Sequence, residues 1–223
     1  MSELKISVRC KDLFDKIPVE LAELFEGAEF PWEIIGKIKA YLSEIKLCDE
    51  FTEIKEGVYV GRDVKISPTA EIIPPAIICE GAEIRQGAYL RGAVYVGRGC
   101  VVGNSTEIKN SLLFDGANVP HYNYVGDSIL GAKSHMGAGA IASNLKADKS
   151  NVTVHADKDY PTGLRKLGAI LGDGADIGCG CVLNPGTVVG KNTNIYPMTP
   201  VRGVVPECAI MKSADTVVKK EKR

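Results

Sequence analysis

Large apolar residues recur at every sixth position from Val60: Ile66, Ile72, Ile78, Ile84, Leu90, Val96, Val102, Ile108 and Phe114 follow without a miss. Four residues after most of them stands a small one, as at Ala70, Ala76, Ala82, Ala88 and Cys100. The series slips by one residue at Val119, runs to Val125, slips again at Leu130 and reaches Met136. It resumes at Leu171 and continues through Ile177, Leu183, Val189 and Ile195 to Val201. A period of six fits neither the helical repeat nor the alternation of a simple strand. It predicts an all-β solenoid, in which each hexapeptide forms one short strand and one corner and three hexapeptides close a triangular coil. The large residue points into the prism, and successive coils pair along the axis at the usual strand spacing of about 4.8 Å.

The period is absent before about residue 50. After Pro31, the run WEIIGKIKAYLSEIK places Ile34, Ile35, Ile38, Tyr41, Leu42 and Ile45 on one helical face, and Val19 to Phe25 reads as a second helix. Residues 1–56 are therefore expected to form a helical cap on the first coil, covering an edge that otherwise invites aggregation. The solenoid occupies 57–206, interrupted by an insertion at 145–169 whose length suggests a lid or a bridge between subunits. Pro206 is expected to end the coils, and 207–223 to form a tail with a frayed or short helical end.

Composition narrows the classes. The 223 residues carry 27 Lys+Arg against 28 Asp+Glu, a balance that argues against a strongly basic nucleic-acid binder. No apolar run is long enough for a membrane span, and MSELKISVRC lacks the apolar core of a secretory signal. Seven scattered cysteines read as reduced thiols in a cytoplasm. The fifty residues before the repeat hold no Gly-rich phosphate loop and are too few for a nucleotide-binding α/β domain. Cys179 and Cys181 lack a second pair at ligand spacing, so no metal site is expected.

Polar and ionisable residues concentrate between Val101 and Asn144. Arg91 and Lys109 are eighteen apart with no slip between them, hence one coil apart and stacked on one face. Two cations so close need an anion between them. A phosphate suits an Arg fork and a Lys point charge, and the plainer reading is neutralisation by Glu107 or Glu83. Glu107 and Tyr124 are also one coil apart, and His121 approaches the same corner. A carboxylate near His121 would hold one tautomer and favour a base near neutral pH, whereas a structural His bonded to a backbone carbonyl is the plainer reading.

The repeat resembles the hexapeptide-repeat family of left-handed parallel β-helices, mostly acyltransferases. The left hand is implied by that resemblance. The runs GNSTEIKN, VPHYNYVGDS and GAGAIASN are similar, in order and spacing, to the acetyltransferase domain of the bifunctional UDP-N-acetylglucosamine pyrophosphorylase/glucosamine-1-phosphate N-acetyltransferase family. The resemblance implies His121 as catalytic base with Glu107 beside it. It implies Arg91, Lys109, Tyr124, Asn144 and His135 on the sugar-phosphate side. Ala138, Gly139, Cys179 and Pro197 fall on the side of the acyl donor, acetyl-CoA, and the site forms between subunits of a homotrimer. His135 stands where the family has Asn, Leu145 where it has Tyr, Cys179 for a Ser and Pro197 for an Ala. The function so implied is acetyl-CoA-dependent N-acetylation of an amino-sugar phosphate such as glucosamine-1-phosphate, without a nucleotidyltransferase half. The alternatives are a silent solenoid that binds a sugar nucleotide or a partner enzyme, acyl transfer to another acceptor, and a zinc hydro-lyase. The last has little support, because His121, His135 and His155 lack that branch's close His pair.

Overall fold

The computed structural model describes residues 6–221. The first five residues of the expected cap and the last two of the expected tail lie outside it. The parallel β-helix predicted from the repeat is present. Its three faces are sheets of nine, nine and seven strands among the described residues. The first face starts at Val58–Val60, the second at Lys65–Ile66 and the third at Glu71–Ile73. On the third face Leu90, Ile108, Val125, Ala142, Leu183 and Val201 stand in register, one per coil, and all point into the prism. Each is fully buried, and a Leu, Ile or Val so placed contributes roughly 1.5–3 kcal/mol.

The first slip falls one strand earlier than the period suggested. Leu113, not Phe114, continues the inward series, in register with Val96 and Leu130. Leu112 pairs with Tyr95, and both belong to the outer cluster that contains Phe114. The cause lies in the corner between the third and first faces. At Arg91-Gly92-Ala93 two residues, Gly92 and Ala93, take positive φ, whereas at the next two coils only Asn110 and then only Asp127 do so. The corner is one residue shorter there, and this moves every following side chain by one.

The helical segment corrects a second expectation. Cys10–Leu13, Val19–Leu21, Ala22–Phe25, Trp32–Ile35 and Ile38–Glu44 are helical, but they lie along the first face rather than over the first coil. The outward residues of that face, Ile77, Tyr95, Leu112, Ile129, Ile170 and Val188, are apolar and form one buried cluster with the segment's side chains. A scan at period six follows inward positions and is blind to these. Phe14 and Phe25 close on Phe114, with ring centroids 4.9 and 5.8 Å away. Glu20 fixes the segment by accepting from Tyr95 Oη at 2.8 Å and from the Arg98 guanidinium. The edge of the first coil is covered instead by Thr52–Lys55, antiparallel to Val58–Val60.

At the far end the coils continue beyond Pro206. Ala209–Ser213 extends the second face, and Thr216–Lys219 folds back on it as an antiparallel strand, not a helix. The insertion leaves after Asn144, forms the hairpin of Thr153–His155 and Asp159–Pro161, and returns at Gly168. Val152, Val154 and Leu167 are buried in the first-face cluster. Tyr160 packs on Phe30 and Trp32.

Candidate functional site

On the third face the predicted residues Glu107 and Tyr124 are strand partners, Glu107 pairs also with Tyr89, and Lys109 lies opposite Gly126. Arg91 and Lys109 occupy equivalent positions on consecutive strands, as the spacing required. Each has its own carboxylate. Arg91 Nη1 lies 2.6 Å from Glu107 Oε1, and Lys109 Nζ lies 3.4 Å from Asp127 Oδ2. The expected Glu107–His121 contact is therefore not made: the strand partner's neighbour, Arg91, takes the carboxylate.

Tyr124 and Asn144 meet over Gly126. A Cβ on Gly126 would stand 2.6 Å from Tyr124 Oη and 2.7 Å from Asn144 Nδ2, so the absent side chain makes room for both. Burial first, then the Asp127 and Glu107 carboxylates, push the Tyr124 phenol above its ordinary 10.0. It stays protonated, and an O–H donor, across the physiological range.

The second predicted group forms a column along the corner between the second and third faces. His121 pairs with Asn104, and the Gly139 N–H donates to the His121 carbonyl. The Gly180 N–H donates to Ala138 O, and the Met198 N–H to Cys179 O. His121, Ala138, Cys179 and Pro197 thus follow one another coil by coil. Tyr122 covers Gly139, whose Cβ would lie 3.1 Å from the ring, and Met198 covers Gly180. Tyr122 and Met198 are 60% and 77% exposed, so the small-residue column runs between two exposed apolar side chains. The N–H groups of Gly137, Gly139 and Ala140 are committed to backbone carbonyls, while Ala138 N–H has no such bond among the described residues. The imidazole of His121 is likewise unpartnered there and exposed.

His135 is not brought to either group. It lies mid-way along the second face, with Nδ1 2.9 Å from Asp176 Oδ1, and Asp176 accepts in turn from Asn194. Leu145 forms an isolated bridge with Lys166 at the root of the insertion. Two residues given no role from sequence, Asn110 and Asp127, turn out to flank the cluster. Their signal was present: Asn110, Asp127 and Asn144 are spaced by seventeen, the length of the shortened coils.

His121 and Lys109 stand at opposite edges of the third face. Five positions separate His121 from Gly126, the partner of Lys109, or roughly 16 Å of extended chain at most. The surface between them is open. A cavity of about 580 Å³ lies elsewhere, between the helical segment and residues 44–51. Among the described residues no three His, Cys, Asp or Glu side chains are grouped to hold a metal ion, and no helix is long and apolar enough to cross a membrane.

The profile of the GMPPB C-terminal domain family matches residues 72–158. A bifunctional protein GlmU of Methanococcus maripaludis (strain C5) is 34% identical over 118 residues, 53% of this chain and 29% of that protein. A bifunctional sugar-1-phosphate nucleotidylyltransferase/acetyltransferase of Sulfurisphaera tokodaii is 37% identical over 92 residues, 41% of this chain and 23% of that protein. The matched stretch is thus less than a third of either relative's length. Among solved structures, a point mutant of AntD, an N-acyltransferase from Bacillus cereus in complex with dTDP and coenzyme A, aligns with 79% of this chain and 93% of that one. Its sequence identity is 19% and its TM-score 0.46. The resemblance carried by the GNSTEIKN, VPHYNYVGDS and GAGAIASN runs is borne out: this chain is similar to bifunctional proteins of the GlmU type.

Proposed function

We propose that this chain transfers an acetyl group from acetyl-CoA to the amine of an amino-sugar phosphate such as glucosamine-1-phosphate, as a homotrimer in the cytoplasm. The observation that carries this reading is the pairing of an unpartnered imidazole, His121, with an uncommitted backbone N–H, that of Ala138, on consecutive coils of one corner. In this mechanism the amine nitrogen attacks the thioester carbonyl while His121 Nε2 or Nδ1 takes its proton, and the CoA thiolate leaves. The Ala138 N–H is aimed at the oxyanion. Acetyl-CoA supplies the activated acyl group. The small side chains of Ala138 and Cys179 leave room for its arm, and Tyr122, seated over Gly139, with Met198 and Pro197 offers apolar surface beside it. His135, held by Asp176 on the second face, meets the sugar only from a neighbouring copy.

Arg91 and Lys109 bind the phosphate, with the Tyr124 hydroxyl donating to it and Asn144 accepting from the amine. Glu107 orients Arg91 rather than His121. The spread of His121 and Lys109 across one face supports a site completed by a second copy of the chain. Partly exposed Tyr89, Ile141 and Val182 on that face give such a contact apolar area. Sedimentation that finds only monomers removes the shared site.

The reaction is tested by offering purified protein a panel of amino-sugar phosphates with acetyl-CoA and following free-thiol release. Release with one phosphorylated amino sugar, and none with its N-acetylated form, is the expected outcome. Thiol release with a hydroxyl acceptor alone moves the chain to another acyltransferase class. No release with any acceptor leaves the silent, binding solenoid.

A further inference from the structure

Asp127 is a buried carboxylate, only 4% exposed, at the shortened corner between the third and first faces. It lies between two amides from the coils on either side. Asn110 Nδ2 donates to its Oδ1 at 2.8 Å, and Asn144 Nδ2 donates to its Oδ2. The Lys109 ammonium approaches the same Oδ2 at 3.4 Å. A carboxylate at this point has a directional consequence, because an ionised carboxylate only accepts. The Asn144 amide must turn its NH2 to Asp127. The Asn144 amide also shares the space over Gly126 with the Tyr124 hydroxyl, so Asn144 is bounded from two sides. Its Oδ1, with no partner among the described residues, is left as an acceptor.

We infer that Asp127 is the positioning residue of the proposed site: it fixes Asn144 with its carbonyl oxygen toward the ligand and holds the Lys109 ammonium in place. The ligand group at Asn144 must then be a donor, an amine or a hydroxyl, and the group at Lys109 an acceptor, which is the polarity of an amino-sugar phosphate. The rungs are anchored by the two appendages that the repeat does not contain. Asn110 Nδ2 also reaches Ile35 O of the helical segment at 3.2 Å. Gly168 N–H donates to Asp127 O, and Leu167 N–H to Asn144 O, where the insertion returns. The insertion thus buttresses the ladder from behind.

This inference rests on the acyl-transfer reading for its meaning but not for its test. Asp127→Asn keeps the shape and removes the constraint, since an amide both donates and accepts and lets Asn144 turn either way. In the 223-residue chain, the side-chain NH2 of Asn144 is followed by NMR with 15N-labelled asparagine and assigned by its loss in Asn144→Ala. In Asp127→Asn its proton exchange should quicken about tenfold, the loss of one charge-assisted bond. An unchanged exchange rate overturns the inference whatever the enzyme does.

With an acceptor that the wild type acylates, Asp127→Asn should lower kcat/KM about ten- to hundredfold, as misplacement of a reacting group does. The Asp127→Asn/Asn144→Ala double variant should fall no more than about threefold below the worse single one. Full additivity of the two losses shows that Asp127 does not act through Asn144. If wild-type protein acylates nothing, the proposed function fails, and the exchange measurement still decides the role of Asp127. Should Asp127→Asn prove unfolded by circular dichroism, Asn110→Ala, which removes only the rung below, replaces it in both measurements with the same expected direction.

Discussion

The first and third faces are built from the same hexapeptides and share one interior, yet they have opposite fates. Both point Val, Ile and Leu inward, and the difference lies entirely in the alternate, outward positions. On the first face these are Ile77, Tyr95, Leu112 and Ile129, and the face is buried beneath a helical segment. On the third face they are Tyr89, Arg91, Glu107, Lys109 and Tyr124, and the surface stays open. A parallel β-helix thus separates two tasks by alternation alone: one set of side chains holds the prism together, and the other is free to become either a packing surface or a chemical one. Stability and function should therefore be separable by mutation, face by face.

The largest effect expected is on function alone. His121→Ala should reduce acetyl transfer by about 10²- to 10⁴-fold, the range for loss of a positioned base. The imidazole is exposed and makes no bond within the described residues, so the melting temperature should stay within about 1 °C. Near-normal turnover, measured by thiol release, removes the base assignment.

Next comes an effect on stability alone. Glu20→Gln on the covered first face should cost about 1.5 kcal/mol, the loss of a charge-assisted bond in a pair whose Arg98 side is 35% exposed. That lowers the melting temperature by roughly 3–6 °C in a chain of this size, and turnover at 25 °C should stay within about twofold. The pH dependence has a definite sign. Burial alone would raise the Glu20 pKa, but the bonds from Arg98 and Tyr95 outweigh it and bring the carboxyl below its ordinary 4.5. A group lowered on folding stabilises above its unfolded value and loses that contribution as pH falls through the folded one. The gap in melting temperature between wild type and Glu20→Gln should be full near pH 7 and shrink below about 4.5. A gap that stays constant down to about pH 3 assigns the loss to packing rather than charge.

How much of this could be read from sequence follows from the same division. The inward series is a strict positional code, and it placed the coils, the Arg91–Lys109 stacking and the Glu107–Tyr124 pairing. The placing of Phe114 failed because the short corner at Asn110 has the same chemical look as a long one until register is observed. The helical segment's seat was hidden for another reason: outward Ile and Leu on a solenoid look like noise against the inward period, although Tyr95, Leu112 and Ile129 mark the covered face. In the site, residue types were legible but partners were not. Glu107 bonds Arg91 because their strands are adjacent, and nothing in a linear spacing ranks that guanidinium above the His121 ring. Asp127 lay within the VPHYNYVGDS run but was given no role, although the interval of seventeen from Asn110 and to Asn144 would have placed it between two amides.

The smallest expected effect tests the open face at its most exposed charge. Arg91 and Glu107 are 42% and 34% exposed at their side chains. An ion pair so wetted is screened by salt and adds little to folding. Arg91→Ala should therefore leave the melting temperature within about 1 °C. Its work, in the proposed reading, begins only when a phosphate arrives, since a guanidinium offers two parallel donors that a lysine cannot. The acceptor KM should rise about tenfold in Arg91→Ala and about half as much, on a logarithmic scale, in Arg91→Lys, with kcat nearly kept. The wild-type KM should itself rise with added salt, and the rise should be shallower in Arg91→Ala, because one of the two cations facing the anion is gone. A kcat that falls while KM holds would put Arg91 at the reacting amine instead of the phosphate. A KM indifferent to both salt and substitution would mean that the acceptor's anion lies elsewhere, and the third face would then be no more than the first face left uncovered.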